Sequence, residues 1–169
     1  RSETVRGLDP RALRLRLDSG DTHAYDALLI ATGSRPRTLD EEVIGRDQAI
    51  SGGRLTTLHS AADAVRVRNL LATTQPARVL MLGGGLVASE TASLLTDAGH
   101  DVALITRAAI PGANAIGEHV ARRLRDLHRP QHAAYLERTV HSIRTHTDRI
   151  SITLNDGSPV SYTHLTLPT

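Results

Sequence analysis

The apolar positions of this chain fall in short runs, spaced like alternating strands and helices. Val79-Leu-Met-Leu82 and Val102-Ala-Leu-Ile105 are unbroken and too short for buried helices, so they predict strands covered on both faces. Three glycines, Gly83 to Gly85, end the first run. A helical stretch follows, stops at Ala98-Gly99, and leads into the second run. Strand, glycine turn, helix, strand is the repeating half of a doubly wound α/β sheet.

Elsewhere the pattern is looser. Leu13-Arg-Leu-Arg-Leu17 alternates as a half-buried strand does, and Asp18-Ser-Gly-Asp21 is a turn. Ala27-Leu-Leu-Ile-Ala31 predicts a buried strand running into Thr32-Gly33, fed by a β-meander. Thr38 to Thr57 is polar, with a flexible point at Ser51-Gly-Gly53, and predicts a crossover between domains. Ser60 and Asp63 have the spacing of a capping box. The helix they open carries Val65, Leu70 and Leu71 and stops before Pro76. Ile116, Val120, Leu124 and Leu127 predict one further helix, closed by Pro130. Ala133 to Leu136, Val140 to Arg144 and Ile150 to Leu154 predict strands, with turns near Thr147-Asp148 and at Asn155-Asp-Gly157.

Composition narrows the chemistry. The chain has 169 residues, 40% of them hydrophobic, with neither Phe nor Trp, so the core is aliphatic and stacking of bases on aromatic side chains has little support. It has no cysteine, which excludes a disulfide, a thiolate metal site or a redox cysteine pair within these residues. The basic residues are all arginine, scattered, and the net charge is only +2, so no nucleic-acid face is expected. No apolar run is long enough for a membrane span. Nine histidines invite a metal reading, but Pro130 separates His128 from His132, and His141 and His146 fall on opposite faces of a strand pattern, so no metal site is expected.

The glycine turn carries the candidate site. Gly83 suits the tight turn leaving the strand, and Gly85 lets a pyrophosphate approach the backbone. Ala88, where a third glycine often stands, still allows close packing of helix on strand. The first turn, Leu86, Val87 and Ala88, turns free N–H groups and the positive dipole end toward a dinucleotide. The end of the second strand addresses which one. An NAD site usually places an acid there, about 20 residues on, for the ribose hydroxyl. This chain has Thr106 and Arg107, which favours the 2′-phosphate of NADPH over NADH, unless Arg107 is an ordinary surface arginine.

Tyr25-Asp-Ala-Leu-Leu-Ile-Ala-Thr-Gly-Ser-Arg-Pro-Arg37 resembles the Ala-Thr-Gly segment of FAD-dependent pyridine nucleotide-disulfide oxidoreductases, and it precedes the glycine motif at about the family's interval. Leu58-His-Ser-Ala-Ala-Asp-Ala-Val65 resembles the ferredoxin and rubredoxin reductase branch. The resemblance implies an FAD/NAD(P)-binding fold of doubly wound α/β type, partial, with β-meander segments. Residues 1–40 would close the FAD domain, with Thr32 and Gly33 touching the flavin nucleotide, and residues 41–159 would form a truncated NAD(P) domain. The parent protein is expected to be a cytoplasmic enzyme passing hydride from NADPH, or NADH, to FAD and on to a ferredoxin or rubredoxin. A disulfide reductase of the same family and a non-catalytic dinucleotide-sensing module are the alternatives. Glu90 is placed by the resemblance near the nicotinamide; an acid close to a helix N-terminus is the plainer account of it. Finally, Val160 to Thr169 back-translates to a string resembling a transposon-end adapter used in DNA library preparation. Residues 160–169 are therefore expected to be read-through that packs against nothing specific.

Overall fold

The computed structural model describes residues 3–74, 76–128 and 133–168, with side chains described up to residue 164 apart from that of His128. The chain divides into two compact units, Arg1–Ser34 and Arg35–Thr169.

The first unit is an antiparallel meander of β1 (Val5–Asp9), β2 (Arg14–Leu17) and β3 (Thr22–Ala24). The Asp9 carboxylate accepts hydrogen bonds from the N–H groups of Arg11 and Ala12 and so closes the first turn locally. The buried strand expected at Ala27–Ala31 is not formed: these residues are irregular, and Leu29 and Ile30 are 87% and 66% exposed. An all-apolar strand needs partners along its edges and cover on both faces. The three short strands of this unit supply neither.

The second unit has three layers. Its centre is a parallel sheet in the order β4-β11-β5-β6-β7, comprising β4 (Leu55–Leu58), β5 (Arg78–Leu82), β6 (Asp101–Thr106), β7 (Ala133–Leu136) and β11 (His164–Pro168). On one face lie α2 (Ala61–Ala72) and α3 (Leu86–Asp97). Facing the other is an antiparallel meander of β8 (Val140–Thr145), β9 (Ile150–Leu154) and β10 (Pro159–Tyr162). The side-chain alternation of the central strands sorts the core in two. Val79 and Met81, with Val102 and Leu104, pack against Val67, Leu71, Ala88 and Ala92 of the helices. Leu80, Ala103 and Ile105 point the other way, into Ile143, Ile150, Ile152, Leu154 and Tyr162. This is an α/β fold with meander segments, and both faces of the central strands are covered, as their unbroken apolar runs require.

Several local expectations are met. Ser60 accepts from the Asp63 N–H at 3.2 Å while Asp63 accepts from the Ser60 N–H at 3.0 Å. The Ser60 N–H and the Ser60 hydroxyl, both donating to Asp63 Oδ2, hold the Asp63 carboxyl below its usual pKa. The helix carries Val65, Leu70 and Leu71 as expected, and buries Val67 and Leu71. Others are corrected. The polar crossover contains a helix, α1 (Arg46–Ser51), with Ala49 fully buried, and Ser51-Gly-Gly53 is its ordered stop: the Gly52 N–H reaches Gln48 O at 3.0 Å. The single helix expected through Ile116 to Leu127 is two, α4 (Ala113–Ile116) and α5 (Glu118–His128), parted by Gly117 at φ 78°. Pro130 and His132 lie outside the described residues, as does the His128 side chain.

The largest correction concerns the segment from residue 160 onward. Residues 160–168 are built into two sheets. Val160 pairs with Ile152 and Tyr162 with Ile150, and both side chains are buried. β11 lies between β4 and β5, parallel to each. Thr163 donates its N–H to Arg78 O at 2.9 Å, and the Arg78 guanidinium stands 5.0 Å over the Tyr162 ring. The physical reason is the sheet itself. β4 and β5 do not pair with each other, so without an insert each would present a row of unpaired backbone groups to the gap.

Candidate functional site

The site begins where β5 ends. The Gly83 N–H still donates to Ile105 O at 2.9 Å, carrying the pairing with β6 one residue past the strand. The backbone then turns across the end of β6. A Cβ on Gly84 would collide with Oγ1 of Thr106 and meet its Cβ at 3.0 Å. Thr106 is buried, and its Oγ1 accepts from the Ala108 N–H at 3.1 Å, so it has little room to yield. The middle glycine is thus required by contact with β6. At Gly85 the situation is opposite: nothing stands within 4 Å of the place a Cβ would take. Gly85 caps α3 without any side-chain hydrogen bond, so its first-turn N–H groups lack a side-chain partner, as an anion site needs.

A second loop closes the front. Gly112, at φ 81°, donates its N–H to Gly84 O at 2.6 Å and brings Ile110 to Ala115 against the glycine turn. Between these loops, the end of β6 and the start of β8 lies a cavity of about 780 Å³, within the range of small-molecule and cofactor sites. Of the residues singled out from sequence, Gly83, Gly85, Thr106 and Arg107 are in its wall. Leu86 and Val87 are half-exposed on the first turn of α3, and the Ala88 side chain is buried against the sheet, so these residues face the cavity at most through their N–H groups. Glu90 is exposed on α3 and is not part of the wall. Thr32 and Gly33 belong to the other unit, both exposed, with Gly33 at φ 76°.

The wall is basic. Arg37, Arg107 and Arg138 line it, against one carboxylate, Asp40. Arg107 is exposed and makes no hydrogen bond or ion pair with another described residue. Asp101, the acid of β6, sits at the far end of the strand and pairs with Arg78 at 2.9 Å. Sequence reasoning missed Gly84, Gly112, Arg37 and Arg138. The run of three glycines was the one available signal for Gly84; the others come from segments distant in the chain. Among the described residues no set of three or more His, Cys, Asp or Glu is placed to hold a metal ion, and no helix is long and apolar enough to cross a membrane.

The family model for pyridine nucleotide-disulphide oxidoreductases matches residues 2–167. The chain belongs to that family. It is 34% identical over 125 residues to the ferredoxin reductase component of a chlorobenzene dioxygenase from Cupriavidus sp. (strain PS12), an alignment spanning 73% of this chain and 28% of that protein. To the rubredoxin-NAD(+) reductase of Acinetobacter baylyi it is 31% identical over 127 residues, 71% of this chain and 30% of the reductase. The crystal structure of a ferredoxin reductase from Rhodopseudomonas palustris superposes with a TM-score of 0.77 at 22% identity, covering 98% of this chain and 40% of that one. The chain therefore spans under a third of the length of these curated relatives.

Proposed function

We propose that this chain is the dinucleotide-binding portion of a cytoplasmic flavoprotein reductase that takes hydride from NADPH and delivers electrons, by way of FAD, to a ferredoxin or rubredoxin. The second unit, Arg35–Thr169, would form the NADPH domain in place of residues 41–159, and the first unit, Arg1–Ser34, the closing segment of the FAD domain, with Thr32 and Gly33 against the flavin nucleotide. The observation that carries the reading is the glycine turn opening on a cavity that ends at Thr106 and Arg107. The cradle fits a dinucleotide: Gly85 leaves open space for a pyrophosphate, α3 offers N–H groups no side chain caps, and the wall carries three arginines. When bound, the nicotinamide supplies the hydride and the flavin receives it. The task of the chain's own residues is to hold and orient the adenosine and pyrophosphate. The names of the ferredoxin and rubredoxin reductase relatives support the choice of electron acceptor.

Equilibrium titration with NADPH and with NADH tests the reading. NADPH is expected to bind at least about tenfold tighter, the minimum contribution of one charge-assisted hydrogen bond. Without the rest of the FAD site the chain is expected to bind NADPH but not oxidise it. Tighter binding of NADH would overturn the cofactor choice, and binding of neither would overturn the site.

A further inference from the structure

Arg138 is held in place more tightly than a surface arginine needs to be. It follows Glu137, which lies at φ 56°, a left-handed conformation that is unfavourable for any residue but glycine and that collects at functional positions. That kink brings the Arg138 N–H onto Thr106 O at 3.0 Å, so Arg138 starts at the end of β6, one residue from Arg107. Its guanidinium is held at two of its three nitrogens. Nε donates to Asp156 Oδ2 at 2.6 Å and Nη1 to Glu137 O at 3.2 Å. Asp156 is itself fixed, its Oδ1 accepting from Ser158 N–H at 3.0 Å and Ser158 Oγ at 2.6 Å. Both hydrogens of Nη2 are left without a partner among the described residues, and the residue lines the cavity.

We propose that Arg138 is a second phosphate-recognising arginine for the adenosine end of the cofactor, set by Asp156 as a positioning residue; this rests on the NADPH reading above. Arg107 and Arg138 flank Thr106, one through the chain and one through the Thr106 carbonyl, and both line the cavity at the end of β6, where a 2′-phosphate would be held. The two differ in preparation. Arg107 is free and must be ordered by the ligand, whereas Arg138 is already ordered by Asp156 and the Glu137 carbonyl, so less side-chain freedom is lost on binding.

The test is titration of the 169-residue chain with adenosine 2′,5′-bisphosphate and with adenosine 5′-monophosphate, which lacks the phosphate in question. Arg138→Ala is expected to weaken the bisphosphate about tenfold and to leave the monophosphate within about twofold. The monophosphate doubles as the check that the site remains folded. Asp156→Asn removes a negative charge, which by Coulomb's law alone tightens binding of an anion; the positioning role requires the bisphosphate to weaken. In the double variant Arg138→Ala, Asp156→Asn the loss must persist. Recovery there would make Arg138 a mask for the Asp156 charge and overturn the proposal. So would equal losses for both probes, or a bisphosphate preference abolished by Arg107→Ala and untouched by Arg138→Ala. A wild type without that preference would overturn the NADPH reading as well.

Discussion

Gly84→Ala is the sharpest probe of the site, because its cost is set by one contact. Gly84 has no positive φ that would strain an alanine, so the change acts through the added methyl group alone. That carbon would overlap Thr106 Oγ1 and stand 3.0 Å from Thr106 Cβ, well inside the roughly 3.5–4.0 Å of a comfortable carbon contact. Two movements relieve the overlap. Thr106 can rotate and give up its bond from the Ala108 N–H, a loss of about 0.5–1.5 kcal/mol. Alternatively the glycine turn backs away from β6 and stretches the bond from the Gly83 N–H to Ile105 O. Overpacking at a buried position costs about 1–3 kcal/mol, and that range is expected here.

The assay is urea unfolding of Gly84→Ala, Thr106→Ala and the double variant. Truncating Thr106 removes Oγ1 and leaves only the Cβ contact, so Gly84→Ala is expected to lose most of its cost in that background. The coupling between the two positions should then be at least about 1 kcal/mol, in the range of residues in direct contact. Additive effects, or a Gly84→Ala cost within about 0.5 kcal/mol, the range of an ordinary surface change, would refute the claim that the middle glycine is dictated by Thr106.

Three further outcomes are expected. If the proposed function holds, Arg107→Ala in a full-length reductase containing this chain should weaken NADPH by roughly ten- to a hundred-fold in kcat/KM, the effect of a charge-assisted bond of about 1.5–3 kcal/mol, and Thr106→Glu with Arg107→Ala should reverse the preference; equal losses for NADH and NADPH would make Arg107 a plain surface residue. Deleting residues 163–169 should lower the melting temperature by more than about 4 °C, roughly the shift that 1 kcal/mol gives a chain of this size, because β4 and β5 lose the strand between them; an unchanged melting temperature would show that β11 contributes nothing. Burial, with Arg54 nearby, lowers the His164 pKa below the usual 6.5, so folding favours the neutral ring. Its contribution is complete above that value and is lost as the pH falls from there through the folded pKa, and His164→Gln should flatten the stability curve below pH 6.5; an identical acid limb in the variant would refute the assignment.

What the chain disclosed about itself depended on how local the cause was. β5 and β6 were legible because each is covered on both faces, which leaves an unbroken apolar run in the sequence. The capping box at Ser60 was legible because both of its bonds close within three residues. Ala27–Ala31 carries the same local signature as Val79–Leu82, and what separates them is outside both runs: partner strands stand beside β5 and, among the described residues, none beside residues 27–31. The meaning of Gly84 likewise lies in Thr106, on another strand, and that of Arg138 in the carbonyl it reaches on β6. Residues 160–169 make the point from the other side. The nucleotide string they resemble bears on their origin and has no bearing on whether they can pair. A gap flanked by two strand edges selects for any extended segment that reaches it with its backbone groups free, and Val160 and Tyr162, alternating with Ser161, deliver the chain to that gap. Seating in a sheet is therefore a statement about the slot as much as about the strand that fills it.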